Sequence, residues 1–122
     1  MSKVRNAIKK GRRFQKTVCE AFACAFSVNV PDDVRTAVGS ETGSDVKMVS
    51  SRAKKTIGLS IECKNTVQLS IWKAIEQAKK NANKEKLAPC IVFKNPKGMR
   101  KPWIALPLEY YLKIEMEENG DE

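Results

Sequence analysis

Residues 56–65, TIGLSIECKN, set Ile57, Leu59, Ile61 and Cys63 in strict alternation with Gly58, Ser60, Glu62 and Lys64. A period of two belongs to a β-strand, and it sends the aliphatic set to one face and Glu62 with Lys64 to the other. A strand so one-sided needs a second layer to cover its apolar face.

The rest of the chain supplies helices for that role. Over residues 3–26, Phe14, Val18, Ala21, Phe22 and Ala25 recur at helical spacing, with Arg12, Arg13, Lys16 and Glu20 on the polar side. Pro31 stops any helix, and VPDDVRTAVGSETGSD reads as a turn-rich connector. DVKMVS is expected to be a short strand and SSRAKK a basic hairpin turn. A second helix is expected over about 69–84, with Ile71, Ile75, Ala78 and Ala82 as its apolar stripe. APCIVFKN and WIALPL read as strands joined by the basic turn NPKGMRKP, and EYYLKIEMEE as a short terminal helix. The expected order is α-β-β-α-β-β-α, an α/β fold with a small mixed central β-sheet flanked by helices. At 122 residues this is one domain, taken as 1–114 followed by an acidic tail over 115–122.

Charge narrows the partners. Lys and Arg number 23 against 14 acids, and five of those acids (Glu115, Glu117, Glu118, Asp121 and Glu122) fall in the last eight residues. The excess over residues 1–114 points to a polyanion. The chain contains no histidine, which excludes Ser-His triads, Cys-His proteases and histidine-metal nucleases. No apolar run approaches the ~18 residues of a membrane span, and the basic N-terminus lacks a signal peptide's apolar core. Cys19, Cys24, Cys63 and Cys90 show no metal-finger spacing and read as reduced thiols in a cytoplasm.

The chemistry concentrates in Asp45, Glu62 and Lys64. If Asp45 opens the strand beside Glu62, two carboxylates ~5 Å apart can share a hard cation. Mg²⁺ suits them, with the backbone carbonyl of Cys63 as a further oxygen and Mn²⁺ as a substitute. Lys64 on the same face can orient a water or stabilise a phosphate. The same triple also fits a solvated surface pair.

The segments KGRRFQKTV, GSETGSDVKMVS, LSIECKNTVQLSIWKAIEQAKKNA, PCIVFKN and WIALPL together resemble the PD-(D/E)xK nucleases, and more narrowly the phage-encoded and archaeal-type Holliday junction resolvases. The block IECKN followed by IWKAIEQA carries most of the likeness. The resemblance implies a restriction-endonuclease-like fold, a two-fold homodimer and Mg²⁺-dependent hydrolysis of branched DNA such as a four-way junction. It matches Asp45 and Glu62 to the metal-binding acids, Lys64 to the catalytic lysine and Gln77 to a glutamine beside the site. Where the archaeal-type enzymes bring a first-helix glutamate to the metal, this chain has Gln15, expected as a neutral neighbour of the site.

Other residues are expected around this centre. Ser44 flanks it, in a Gly/Ser loop that either contacts phosphate or merely turns. Lys10, Arg12, Arg13, Arg52, Lys54, Lys55, Lys73, Lys97, Arg100 and Lys101 are candidate DNA contacts. Trp72 and Trp103 fit either stacking on bases or packing in a core or dimer interface. No membrane and no small-molecule cofactor are expected, and the compartment is the cytoplasm, a host cell's if the chain is phage-encoded. Three competing readings remain: a sequence-specific nuclease, a flap or exonuclease of the same fold, and a basic DNA-binding protein without catalysis.

Overall fold

The structure is a computed structural model and describes residues 3–120. Helix α1 (Lys3–Phe26) leads to strands β1 (Val34–Thr36) and β2 (Val46–Met48) and a short helix α2 (Ser51–Thr56). Strand β3 (Leu59–Asn65), helix α3 (Ile71–Glu85) and strand β4 (Ala88–Lys94) follow, and then strand β5 (Trp103–Ala105) and helix α4 (Leu108–Gly120). The five strands form one mixed sheet in chain order. Only β3 and β4 run parallel, paired from Leu59–Ala88 to Asn65–Lys94, and α3 is their crossover. The chain is therefore α/β, with a five-stranded mixed sheet between helices.

Each face of the sheet takes one helix. Leu59, Ile61, Cys90 and Val92 pack with Phe14, Val18 and Cys19 of α1, while Ile91 packs with Ala74 and Ala78 of α3. The α1 stripe is Phe14, Val18, Cys19 and Ala23, with Phe22 half-buried. Ala21 and Ala25, expected on that stripe, are exposed, because a 3.6-residue period carries the buried line toward Cys19 and Ala23. On α3 the fully buried line is Ala74, Ala78 and Ala82, and Ile71 and Ile75 flank it.

Helix α1 ends before Pro31 can stop it. Ser27 is left-handed (φ 55°) and Val28 N–H donates to Ala23 O at 3.0 Å, a Schellman-type closure.

The region expected as connector and turn is more structured than the sequence suggests. Residues 34–36 form edge strand β1, paired with β2 from Val34–Met48 to Thr36–Val46. SSRAKK is not a hairpin turn. Ser50 Oγ accepts from Ala53 N–H at 3.0 Å and starts α2, which carries the chain to β3. Gly58 then turns into β3 at φ 68°, where a Cβ would meet Lys54 O at 3.1 Å, so glycine is required. At the C-terminus Glu115, Glu117 and Glu118 belong to α4, so the acidic run begins inside a helix. Asp121 and Glu122 lie outside the described residues.

Candidate functional site

Asp45 stands immediately before β2 and is fixed from three sides. Its N–H donates to Ile61 O at 2.9 Å, its carbonyl accepts from Ala37 N–H at 2.8 Å, and Oδ2 accepts from Cys63 N–H at 2.8 Å. Backbone groups alternate sides along a strand, so the Cys63 carbonyl points to the same flank as its N–H, beside the Asp45 carboxylate. Asp45 and Glu62 are close enough for the Asp45 charge to act on the Glu62 carboxyl.

Glu62 is buried, 1% exposed. Burial first, and then the Asp45 charge, push its carboxyl up to about 7, while the Asn81 hydrogen bond and Lys64 pull the other way. A buried acid beside a second carboxylate lacks positive charge, and that is the environment a cation would relieve.

Helix α3 lies over this face as a polar ladder. Lys64 Nζ donates to Gln77 Oε1 at 3.0 Å, Asn81 Nδ2 donates to Glu62 Oε1 at 2.5 Å, and Ser60 Oγ donates to Glu85 Oε1 at 2.6 Å. The match is geometric: two strand residues advance ~6.6 Å and four helix residues ~6.0 Å, so alternate positions of β3 meet every fourth position of α3. The small side chains of Ala74, Ala78 and Ala82 let the helix approach closely enough for these bonds.

The last rung also holds the loop that delivers Asp45. Glu85 Oε2 accepts from Ser44 N–H at 3.2 Å and from Ser44 Oγ at 2.9 Å, with Lys47 Nζ 3.6 Å away. Burial works against the Glu85 charge, but the bonds from Ser60 and Ser44 and the Lys47 ammonium together keep its carboxyl below the ordinary range. Gly43 crosses this group at φ 95°, where a Cβ would fall 2.9 Å from Glu85 Oε2. The Ser44 hydroxyl is thus buried and spent on Glu85, so Ser44 positions Asp45 rather than facing a phosphate.

The structure brings Asp45, Glu62, Cys63, Lys64 and Gln77 together and distributes the other expected residues. Gln15 is half-buried in a cleft of about 490 Å³ between α1 and β1, with Glu20, Ala37 and Val38 also in its wall. Glu62 faces α3, across the sheet from α1, and no described hydrogen bond joins Gln15 to Asp45 or Glu62.

Arg52, Lys54 and Lys55 are on α2, at the start of β3, whereas Lys64 is at its end. Seven strand residues span ~20 Å, so these three are not beside the site as expected. Arg52 donates to Ser27 O at 2.9 Å. Lys73, Lys97, Arg100 and Lys101 are at the Lys64 end, because α3 begins and β4 ends there. Lys10 and Arg13 share a cleft with Lys97 and Arg100, and Arg12 is on the exposed side of α1. Trp72 and Trp103 are 77% and 63% exposed, which excludes the core packing weighed for them.

Asn81 and Glu85 were missed by the sequence reading. The signal for them was the four-residue step from Gln77, set against the two-residue step Lys64–Glu62–Ser60.

Among the described residues no three His, Cys, Asp or Glu side chains converge to hold a metal. Two carboxylates and a carbonyl suit Mg²⁺, which retains several waters. No helix of the described chain is long and apolar enough to cross a membrane. Compared with known proteins, the chain matches no family model, no curated protein and no solved structure.

Proposed function

We propose that the chain is a Mg²⁺-dependent, structure-selective DNA endonuclease of restriction-endonuclease-like fold that resolves four-way junctions. The observation that carries the reading is the meeting of Asp45, just before β2, with Glu62 and Lys64 of the neighbouring strand β3, the Glu62 carboxyl being pushed up to about 7 by burial and by Asp45. Asp45, Glu62 and the Cys63 carbonyl would hold Mg²⁺, with Mn²⁺ as substitute. Bound there, the cation would supply Lewis-acid charge to a scissile phosphate.

The chain's own groups would do the rest. Lys64, steadied by Gln77, presents an ammonium to the phosphate and opposes the charge that develops on it. Asn81 fixes the Glu62 carboxylate, and Glu85 fixes the backbone that carries Asp45. Water attacks phosphorus in line as the P–O3′ bond breaks, leaving a 5′-phosphate and a 3′-hydroxyl.

Symmetric cuts need two sites related by a two-fold axis, hence a homodimer. Supporting it, α4 exposes Leu108, Leu112 and Met116 at i, i+4 and i+8, beside edge strand β5 with Trp103 and Ile104 also exposed. The four free cysteines fit a reducing cytoplasm. A DNA-binding protein without catalysis is the second reading, favoured by the lack, among the described residues, of a third metal-ligating side chain.

The discriminating experiment is substitution. Asp45→Asn, Glu62→Gln and Lys64→Ala are each expected to abolish Mg²⁺-dependent cleavage of a four-way junction while junction binding survives. Cleavage that persists in all three sinks the reading.

A further inference from the structure

Trp103 of β5 pairs with Phe93 of β4, and Phe93 in turn pairs with Lys64 of β3. Residues paired in register project from the same side of a sheet, so Lys64, Phe93 and Trp103 form one row. Phe93 and Ala105 both pack against Ala74, Ala78 and Ile91, which puts that row on the α3 side, the side of Glu62. With neighbouring strands ~4.8 Å apart, the backbones of Trp103 and Lys64 are ~10 Å apart. Phe93 is half-buried, whereas Trp103 at the sheet edge is 63% exposed. Ile104 pairs with Val92 and so belongs to the other side of the sheet, where Tyr110 of α4 packs.

An exposed indole offers a flat apolar face, and the charges around it say what that face can meet. Lys64, Lys73, Arg100 and Lys101 are at this end of the sheet, and among the described residues none of the four makes an ion pair. Glu76, one turn beyond Trp72, is engaged by Lys79 at 3.6 Å. A second copy seated here about a two-fold axis would bring the same cations against themselves, which is unfavourable. A nucleic-acid strand meets both demands, with phosphates for the cations and a base face for the indole. In a continuous duplex each base pair is covered by the next, so a base face is free only where the stack is interrupted.

We propose that Trp103 stacks on a base face left open by an interruption in DNA, such as a branch point, within about three nucleotides of the phosphate that meets Lys64. The inference rests on the proposed function for DNA as partner and for Lys64 as the phosphate contact, and it does not require cleavage. It gives the chain a means of preferring branched over continuous DNA without reading sequence.

The test measures binding by the intact chain in EDTA, where cleavage plays no part. The chain has two tryptophans, and Trp72→Phe keeps a ring at that position while leaving Trp103 as the one indole emitter. The probes are a labelled four-way junction and a linear duplex of the same arm sequence, long enough that its ends are a minor fraction of its sites. At matched occupancy the junction is expected to quench Trp103 emission by about half and the duplex to leave it unchanged. Trp103→Ala, checked for folding by circular dichroism, should weaken junction binding about tenfold and leave duplex binding unchanged, and Trp103→Phe should restore most of the junction affinity. Equal quenching by both probes, no binding of the junction, or an alanine variant that weakens both probes alike overturns the proposal. So does a Trp103→Ala chain that sediments as a monomer where the wild type is a dimer, which would assign the indole to a contact between copies. Asp45→Asn should keep the quench, so a failure of cleavage and a failure of stacking are read separately.

Discussion

Asn81 and Glu62 are joined across the α3–β3 interface by a 2.5 Å hydrogen bond from Nδ2 to Oε1. That bond favours the ionised carboxylate, in opposition to burial and to Asp45. Replacing Asn81 by Leu removes the donor, so the Glu62 carboxyl should rise further above the ordinary range. The rising limb of the pH–rate profile for junction cleavage should then move up by about one pH unit, with the plateau preserved. An unmoved limb would separate Asn81 from the chemistry.

Glu62 should also cost stability in the absence of metal. Its folded value of about 7 lies above the unfolded value near 4.5. Between the two the folded state binds more protons, so its contribution is full below about pH 4.5 and is lost as pH rises through 7. In EDTA, Glu62→Gln should therefore exceed the wild type by about 1–3 kcal/mol at pH 8 and match it near pH 4.5, by urea unfolding. A variant equally destabilised at both pH values contradicts the burial of an ionised Glu62.

Metal binding should reverse that cost. If Mg²⁺ binds as proposed, to the folded state alone, it should raise Tm in the wild type and more at pH 8 than at pH 6. Asp45→Asn should show little of this rise. An equal rise in both proteins would place the cation elsewhere.

Glu85 has the opposite sign. Its carboxyl is held below the ordinary range, so its contribution is present above the unfolded value and lost as pH falls through the folded one. Glu85→Ala leaves Ser44 and Ser60 without their acceptor and should cost about 2–4 kcal/mol at pH 7. Cleavage should fall along with stability, because Ser44 adjoins Asp45. A loss below about 0.5 kcal/mol would show that the ladder's last rung carries little.

Gln77→Ala frees Lys64 from its 3.0 Å partner without removing the ammonium. The rate should drop about tenfold, roughly 1.4 kcal/mol in the barrier, with KM little changed. An unaltered rate would remove Gln77 from the site.

Much of this arrangement was legible because long elements declare their period. The alternation of TIGLSIECKN placed Glu62 and Lys64 on one face and Leu59 with Ile61 on the other, and α1 and α3 followed from their apolar spacing. What stayed hidden was short. Strand β1 has three residues with Arg35 at its centre, too few to show a period, and its order comes from pairing with β2. Helix α2 has six residues whose charges read as a turn, and the Ser50 cap was the signal that could have found it. Asn81 and Glu85 required two periodicities to be read against one another, which becomes possible once α3 is known to lie over β3.

The most direct test of the account uses a labelled four-way junction and a linear duplex of the same arm sequence, each with Mg²⁺ and with EDTA. The account predicts symmetric nicks in the junction alone, in Mg²⁺ alone. Binding to the junction with no cleavage under any divalent metal would contradict it and leave a DNA-binding protein whose carboxylates and lysine do no chemistry.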